Sequence, residues 1–336
     1  MTLDLDTFLV ALYTIVDDVY QAQVAPQLPR RAGKRPALSD SEVLTLALCA
    51  QWLRRSERAV VRYARTHWWA YFPRLLSQSA YNRRSRRLAG VLVHLGPLVA
   101  QALGAVTSAY QVVDTVPVPL LRRCRGQHHR LFGDEAAIGR GGSDHDWYYG
   151  CKLLLAVTRE GVITGFLLAP ASTEDRWVAD AFFCWRACPR AEPCDPLALP
   201  PSHRRGGGYV GPTGPRWPRQ GVGRASASPY LADRGFRGAW WQTHWQQDYG
   251  AGVLTPGRAP GRTGRVRRWP QASWRQVVET VNGQLTEVLG LSFPGARSPW
   301  GLLARIAAKV AALNLGIWLN RLFGRPDLAL ATLFSD

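Results

Sequence analysis

Lysine is nearly missing from this chain. Only Lys34, Lys152 and Lys309 interrupt the arginines among its 42 basic residues. A basic surface made of mobile ammonium groups is excluded, so guanidinium groups must supply it. Guanidinium makes paired, planar contacts to phosphate and stacks on rings. Acids are scarce too: 24 Asp and Glu leave a net charge of +18. Arginine bias also follows from GC-rich coding. An excess of this size favours a polyanionic partner, with nucleic acid ahead of a membrane surface. Cysteine is thin, with six scattered over 336 residues, which excludes a disulfide framework. Cys184, Cys188 and Cys194 with His203 raise zinc, but their spacing follows no common zinc pattern. The first twenty residues carry acids where a leader needs bases. The apolar stretch 301–319 is broken by Arg305 and Lys309 at helical spacing, which predicts a core helix rather than a membrane span. The expectation is an intracellular, cytoplasmic protein with no membrane partner and no small-molecule substrate.

What is present begins with helices. Residues 3–20 place Leu5, Phe8, Leu9, Leu12, Ile15, Val16 and Val19 near helical spacing. After a Pro- and Arg-containing linker at 25–37, Ser39 and Glu42 stand in capping-box register. Helical text continues to about 105. It includes "YNRRSRRL", where Arg83, Arg84, Arg86 and Arg87 form either a solvated face or a phosphate-contacting arm. From 110 the pattern turns to strands, predicted at 110–116, 149–158 and 162–168. A helix follows over 174–187. Residues 189–228, dense in Pro, Gly and Arg, read as a long insert. "PYLADRGF" predicts a short strand ending at Asp233, and a helix is expected over 236–248. "GAGVLTP" predicts another strand, and "SWRQVVETVNGQLTEVLGL" a helix. The tail 298–323 is a further helix or pair. Trp240, Trp241, Trp245, Trp269 and Trp274 interleave with arginines. Such rings stack on unpaired bases or fill a core, and the core reading is preferred for Trp241 and Trp245.

Three carboxylates stand on separate elements. Asp114 lies mid-strand in "QVVDTVPV", sharing a face with Val112 and Val116. An unpaired carboxylate there costs several kcal/mol, so it needs an arginine or a cation. Asp233 ends a strand, where a plain turn aspartate is the alternative. Glu279 lies on a helix, opposite Val277, Val278, Val281, Leu285, Val288 and Leu289, in a polar stripe with Arg275, Asn282 and Thr286. The alternative there is an ordinary exposed glutamate. Asp175 is either a helix-start acid or a ligand. Lys152 either snorkels to the sheet edge or neutralises the acids or a phosphate. His128 and His129 receive no role.

Asp114 in "VVDTVPV", Asp233 in "LADRGF" and Glu279 in "RQVVETVNGQL" together resemble the three motifs of DDE-type insertion-sequence transposases, most of all insertion-sequence family 982. The blocks "CRGQHHRLFG", "WYYGCKLLLAV", "LAPASTEDR", "YTIVDDVY" and "LSDSEVLTLAL" are similar too, so the likeness covers most of the chain. It implies an α/β fold: a ribonuclease H-like mixed sheet flanked by helices, with an all-α N-terminal region. Residues 1–105 would be a helical DNA-binding region and 106–325 the catalytic domain, carrying the insert at about 189–228. Asp114, Asp233 and Glu279 would be the catalytic metal ligands for Mg²⁺, two ions in number, with Mn²⁺ as a substitute. Arg275, Lys152, Arg83, Arg84, Arg86 and Arg87 would contact DNA. The implied reaction cuts the transposon end and joins its 3′-hydroxyl to target DNA. The implied protein acts as a homodimer on transposon-end and target DNA, at the nucleoid of a prokaryotic cell. Thr286 and Ala272 depart from the related signature, which has a lysine and an aromatic there, and the insert is longer than expected. A decayed copy that only binds DNA, and a related ribonuclease H-like nuclease, are the alternatives.

Overall fold

The computed structural model describes residues 2–28, 36–122, 132–141, 146–187, 228–256 and 271–335, without the side chains of Asp134, 271–275 and Ser335. Most of the 189–228 insert, His128, His129, Cys188, Cys194, His203, Trp269 and the side chains of Trp274 and Arg275 therefore lie outside the described residues.

Capping sets the N-terminal helices. A two-residue strand β1 (Leu3–Asp4) leads into α1 (Leu5–Val19), where the Asp4 carboxylate accepts the Thr7 N–H at 2.9 Å. α2 (Asp40–Trp52) opens with the expected capping box of Ser39 and Glu42. Ser56 and Ser77 cap α3 (Glu57–His67) and α4 (Gln78–Arg87). α5 (Ala89–Ala102) completes the set. The N-terminal region is not helical throughout, because β1 pairs in parallel with the tail strand β8 (Phe334–Ser335).

The fold is α/β, with a mixed, open sheet flanked by helices. Its strands are β2 (Gln111–Arg122), β3 (Ala137–Gly141), β4 (Asp146–Thr158), β5 (Ile163–Pro170), β6 (Tyr230–Ala232) and β7 (Val253–Leu254). Their order is β3-β4-β2-β6-β7, and β5 follows β3 along the same edge of β4. β2, β4 and β5 are antiparallel in succession, while β6 and β7 run parallel to β2. β2 runs six residues beyond its predicted end, through Pro117 and Pro119. Proline reads as a strand breaker because it cannot donate to the ladder. Here the register against β4 shifts between Pro119 and Leu121, so the bulge accommodates it. Gly150 sits opposite Pro119, where a Cβ would come within 2.2 Å of the Val118 carbonyl oxygen. Only glycine permits that approach.

Alternation along the strands gives each face its own core. Val112, Val116 and Val118 of β2 and Leu153, Leu155 and Val157 of β4 belong to the core shared with α1–α5 and the two C-terminal helices. Those are α8 (Gln271–Gly283) and α9 (Pro299–Leu322). Val113, Leu154 and Ala156 face the other core, with α6 (Asp175–Ala187) and α7 (Ala239–Tyr249). Arg186, near the end of α6, is buried. It donates to the Gln111 Oε1 at 3.0 Å, the Tyr230 hydroxyl at 3.0 Å and the Thr164 carbonyl at 3.3 Å.

The tail 298–323 is one helix. By length and composition α9 would cross a bilayer, but it is mostly buried inside the protein. Its polar groups have internal partners. Lys309 donates to Gln51 at 2.8 Å and to the Leu289 carbonyl at 2.5 Å, and burial pulls its ammonium down to about 8. Asn314 accepts the Ile163 N–H at 2.9 Å and donates to the carbonyls of Ile163 and Gly96 at 2.8 and 3.0 Å. One amide therefore fastens α9 to both β5 and α5. Asn314→Ala removes these three hydrogen bonds and is expected to cost about 2–4 kcal/mol, read as a lower urea midpoint with an unchanged slope.

Candidate active site at the ends of two parallel strands

The parallel ladder between β2 and β6 is three residues long and ends with Val113 opposite Ala232. The next residue on each chain is an aspartate, Asp114 on β2 and Asp233 just after β6. Two separate carboxylates thus meet at the carboxyl ends of adjacent parallel strands, the usual place for a ligand in an open α/β sheet.

Asp233 is exposed and begins a single turn of 3-10 helix, accepting the Gly235 N–H at 2.8 Å. A Cβ on Gly235 would stand 3.0 Å from Asp233 Oδ1 and 3.4 Å from Asp175 Oδ2. Two carboxylates therefore close on one backbone point. Asp114 is half-buried, as its place between Val112 and Val116 predicts. Its carboxylate accepts the Thr115 N–H at 2.8 Å and the Asn282 amide at 3.2 Å. Burial pushes its carboxyl up to about 7, helped by the charges of Asp233 and Asp175 and opposed by those two hydrogen bonds.

Asn282 comes from α8, which Val278 and Val281 seat in the core. Glu279 is exposed one turn earlier, so it shares the helix flank that reaches Asp114. Arg275 lies on the same helix, one turn before Glu279. The Asn282 Oδ1 is buried with no hydrogen-bond partner. Asn282 was visible in the polar stripe of the sequence, although nothing there marked it as the contact to Asp114.

Asp175 stands where the helix-start reading put it. It begins α6, and its charge acts on Asp114. Its Oδ1 accepts from the Lys152 ammonium at 2.6 Å and from the Thr115 hydroxyl at 3.2 Å. Lys152 therefore neutralises an acid instead of snorkelling to an edge. Thr115 and Lys152 lie on the α6 face of the sheet, and Asp114 lies on the α8 face.

The four arginines of α4 divide. Arg84 is locked in an ion pair with Asp40, whose carboxylate also accepts the Tyr20 hydroxyl at 2.7 Å. Arg83, Arg86 and Arg87 are exposed. Arg84 is therefore a structural tie and does not join the exposed group.

Among the described residues, no group of three or more His, Cys, Asp or Glu side chains gathers closely enough to hold a metal ion. The oxygen chemistry nonetheless suits a hard divalent cation, which takes one or two protein carboxylates with water and phosphate oxygens. Asp114 and Asp233 supply two carboxylates, and Asn282 an orphaned buried oxygen beside them. No protein-family model, curated protein or solved structure matches the chain.

Proposed function

We propose that this chain is a DNA transposase of the DDE type with a ribonuclease H-like core. It would cleave transposon ends and transfer the freed 3′-hydroxyl to target DNA. The observation that carries the reading is the meeting of Asp114 and Asp233 at the ends of β2 and β6, under the helix that bears Glu279. Within the six-stranded sheet, setting aside the short β3, Asp114 lies on the first strand, Asp233 directly after the fourth and Glu279 on a late helix. That is the order the sequence resemblance implies.

Asp114, Asp233 and Glu279 would hold Mg²⁺, two ions when DNA is bound, with Mn²⁺ able to substitute. Bound there, the cation supplies Lewis-acid stabilisation of the phosphate and lowers the pKa of a bound water. The protein's own groups do the positioning. The Thr115 N–H and the Asn282 amide fix the two oxygens of Asp114. Lys152 holds Asp175 and prevents a third uncompensated charge beside Asp114. Arg83, Arg86 and Arg87, with Arg275, would bind phosphates, and Lys152 would act through Asp175. A homodimer on the two transposon ends completes the reading.

A second reading is a copy that binds DNA without cutting it. The departures from the related signature at Thr286 and Ala272 favour it. Incubation with supercoiled plasmid decides between them. The enzyme converts it to nicked circles with Mg²⁺ and stops with a chelator, whereas the inert binder retards the plasmid under both conditions and leaves it uncut. A related nuclease would nick but fail to join a pre-nicked transposon end to target DNA.

A further inference from the structure

We infer that the exposed ring of Trp240 is a stacking platform for an unpaired base of DNA, beside the strand phosphates handled at Asp114 and Asp233. The inference rests on the proposed function and names a feature of the substrate at that same site. Trp240 is 65% exposed, a large apolar area to leave in water on the first turn of α7. It is also rigidly held. Its ring stacks on His244 at 5.0 Å with 20° between planes, and stands nearly perpendicular to the Trp241 ring with centroids 4.8 Å apart. His244 is fixed at both nitrogens, by Asp180 at 2.8 Å and Asp248 at 2.5 Å. Trp241 packs in turn on the fully buried Trp245 and edge-on to Trp177. The exposed ring is thus the outer member of an aromatic ladder anchored in the core, so docking onto it sacrifices little side-chain freedom.

Charge selects the occupant. The segment joining Asp233 to Trp240 carries Arg234 and Arg237, both exposed. Guanidinium groups on the segment leading to an exposed indole suit a phosphate followed by a base, because any base offers a π-face and the backbone supplies the anion. Bases inside a duplex have no free face. The platform therefore takes a frayed or single-stranded nucleotide. Trp177 meets Trp241 and Arg176 donates to the Arg237 carbonyl at 3.4 Å, which ties the ladder to the start of α6, where Asp175 stands among the acids.

The test compares the wild type, Trp240→Ala and Trp240→Phe by fluorescence anisotropy. One probe is a blunt DNA duplex, and the other is the same duplex with an unpaired single-stranded end. The wild type should prefer the unpaired end. Trp240→Ala should lose roughly 5- to 100-fold on it and less than about 2-fold on the blunt duplex, with an unchanged salt slope because no phosphate contact is removed. Trp240→Phe should keep most of the preference. The residue is exposed, so the thermal midpoint of each variant should match the wild type. Equal affinity of the wild type for both probes, or an alanine variant that keeps the preference, overturns the platform and leaves the transposase reading intact. A wild type that binds neither probe overturns both.

Discussion

Asp233→Asn is expected to lower Mg²⁺-dependent nicking by at least about 10²- to 10³-fold, the scale of removing one preorganised electrostatic stabiliser, while DNA binding persists. The substitution isolates charge from shape. Asp233 is exposed, and its structural task is to accept the Gly235 N–H at 2.8 Å. An asparagine Oδ1 accepts that bond equally well, so the 3-10 turn and Arg234–Phe236 stay in place. The lost group is an anion beside Asp114. DNA affinity should hold or rise, because a negative charge facing phosphate is gone. Nicking rate and retardation of the same plasmid measure both quantities. A variant that nicks at the wild-type rate removes Asp233 from the mechanism.

The second large effect is on stability. The Asp114 carboxyl stands at about 7 in the folded protein against 3.8 for an aspartate free in water. Below 3.8 both states hold the proton, and this group leaves stability unaffected. Between 3.8 and about 7 the unfolded chain releases its proton while the folded protein keeps it. Stability therefore falls as pH rises through that window, and the full penalty, on the order of a few kcal/mol, is present above it. Asp114→Asn removes the titration. The variant should be more stable than the wild type at pH 8, with the gap closing towards pH 4, as read from urea midpoints of the two proteins side by side. Groups common to both cancel in that comparison. Mg²⁺ at pH 8 should raise the wild-type midpoint more than the variant's, since a cation at the acids offsets the same repulsion. A difference that stays constant with pH contradicts this account. The acid the proposed reaction requires is then also the one that weakens the metal-free fold.

The sequence disclosed what local chemistry encodes. The Ser39–Glu42 box marks its helix start without tertiary help, and the alternation around Asp114 places it on the inward face with Val112 and Val116. Other features depend on contacts between distant residues. The Pro117–Pro119 extension of β2 is allowed by a bulge and by Gly150 on another strand. The short β3 exists because β4 offers it an edge. The ion pair of Arg84 with Asp40 crosses from one helix to another, and no reading of "YNRRSRRL" alone separates it from its exposed neighbours. The site divides the same way. Asp114 and Asp233 were legible as awkward or strand-ending acids. The role of Lys152 emerged only when β4 brought it against Asp175 at the start of α6.

Arg186 gives α6 an unusual attachment. Its guanidinium is buried against Gln111, Thr164 and Tyr230, on three strands, with the Phe182 ring 5.1 Å away. Asp175 begins the same helix eleven residues earlier, about 16 Å along the axis at 1.5 Å per residue. The helix is then a lever with its fulcrum at one end of the sheet and a carboxylate at the other. A tilt of about 5° at the fulcrum sweeps Asp175 by about 1.4 Å over that arm, on the scale at which misplaced groups stop working. The precision of the acids is set in part from the far side of the molecule, by a residue that touches none of them.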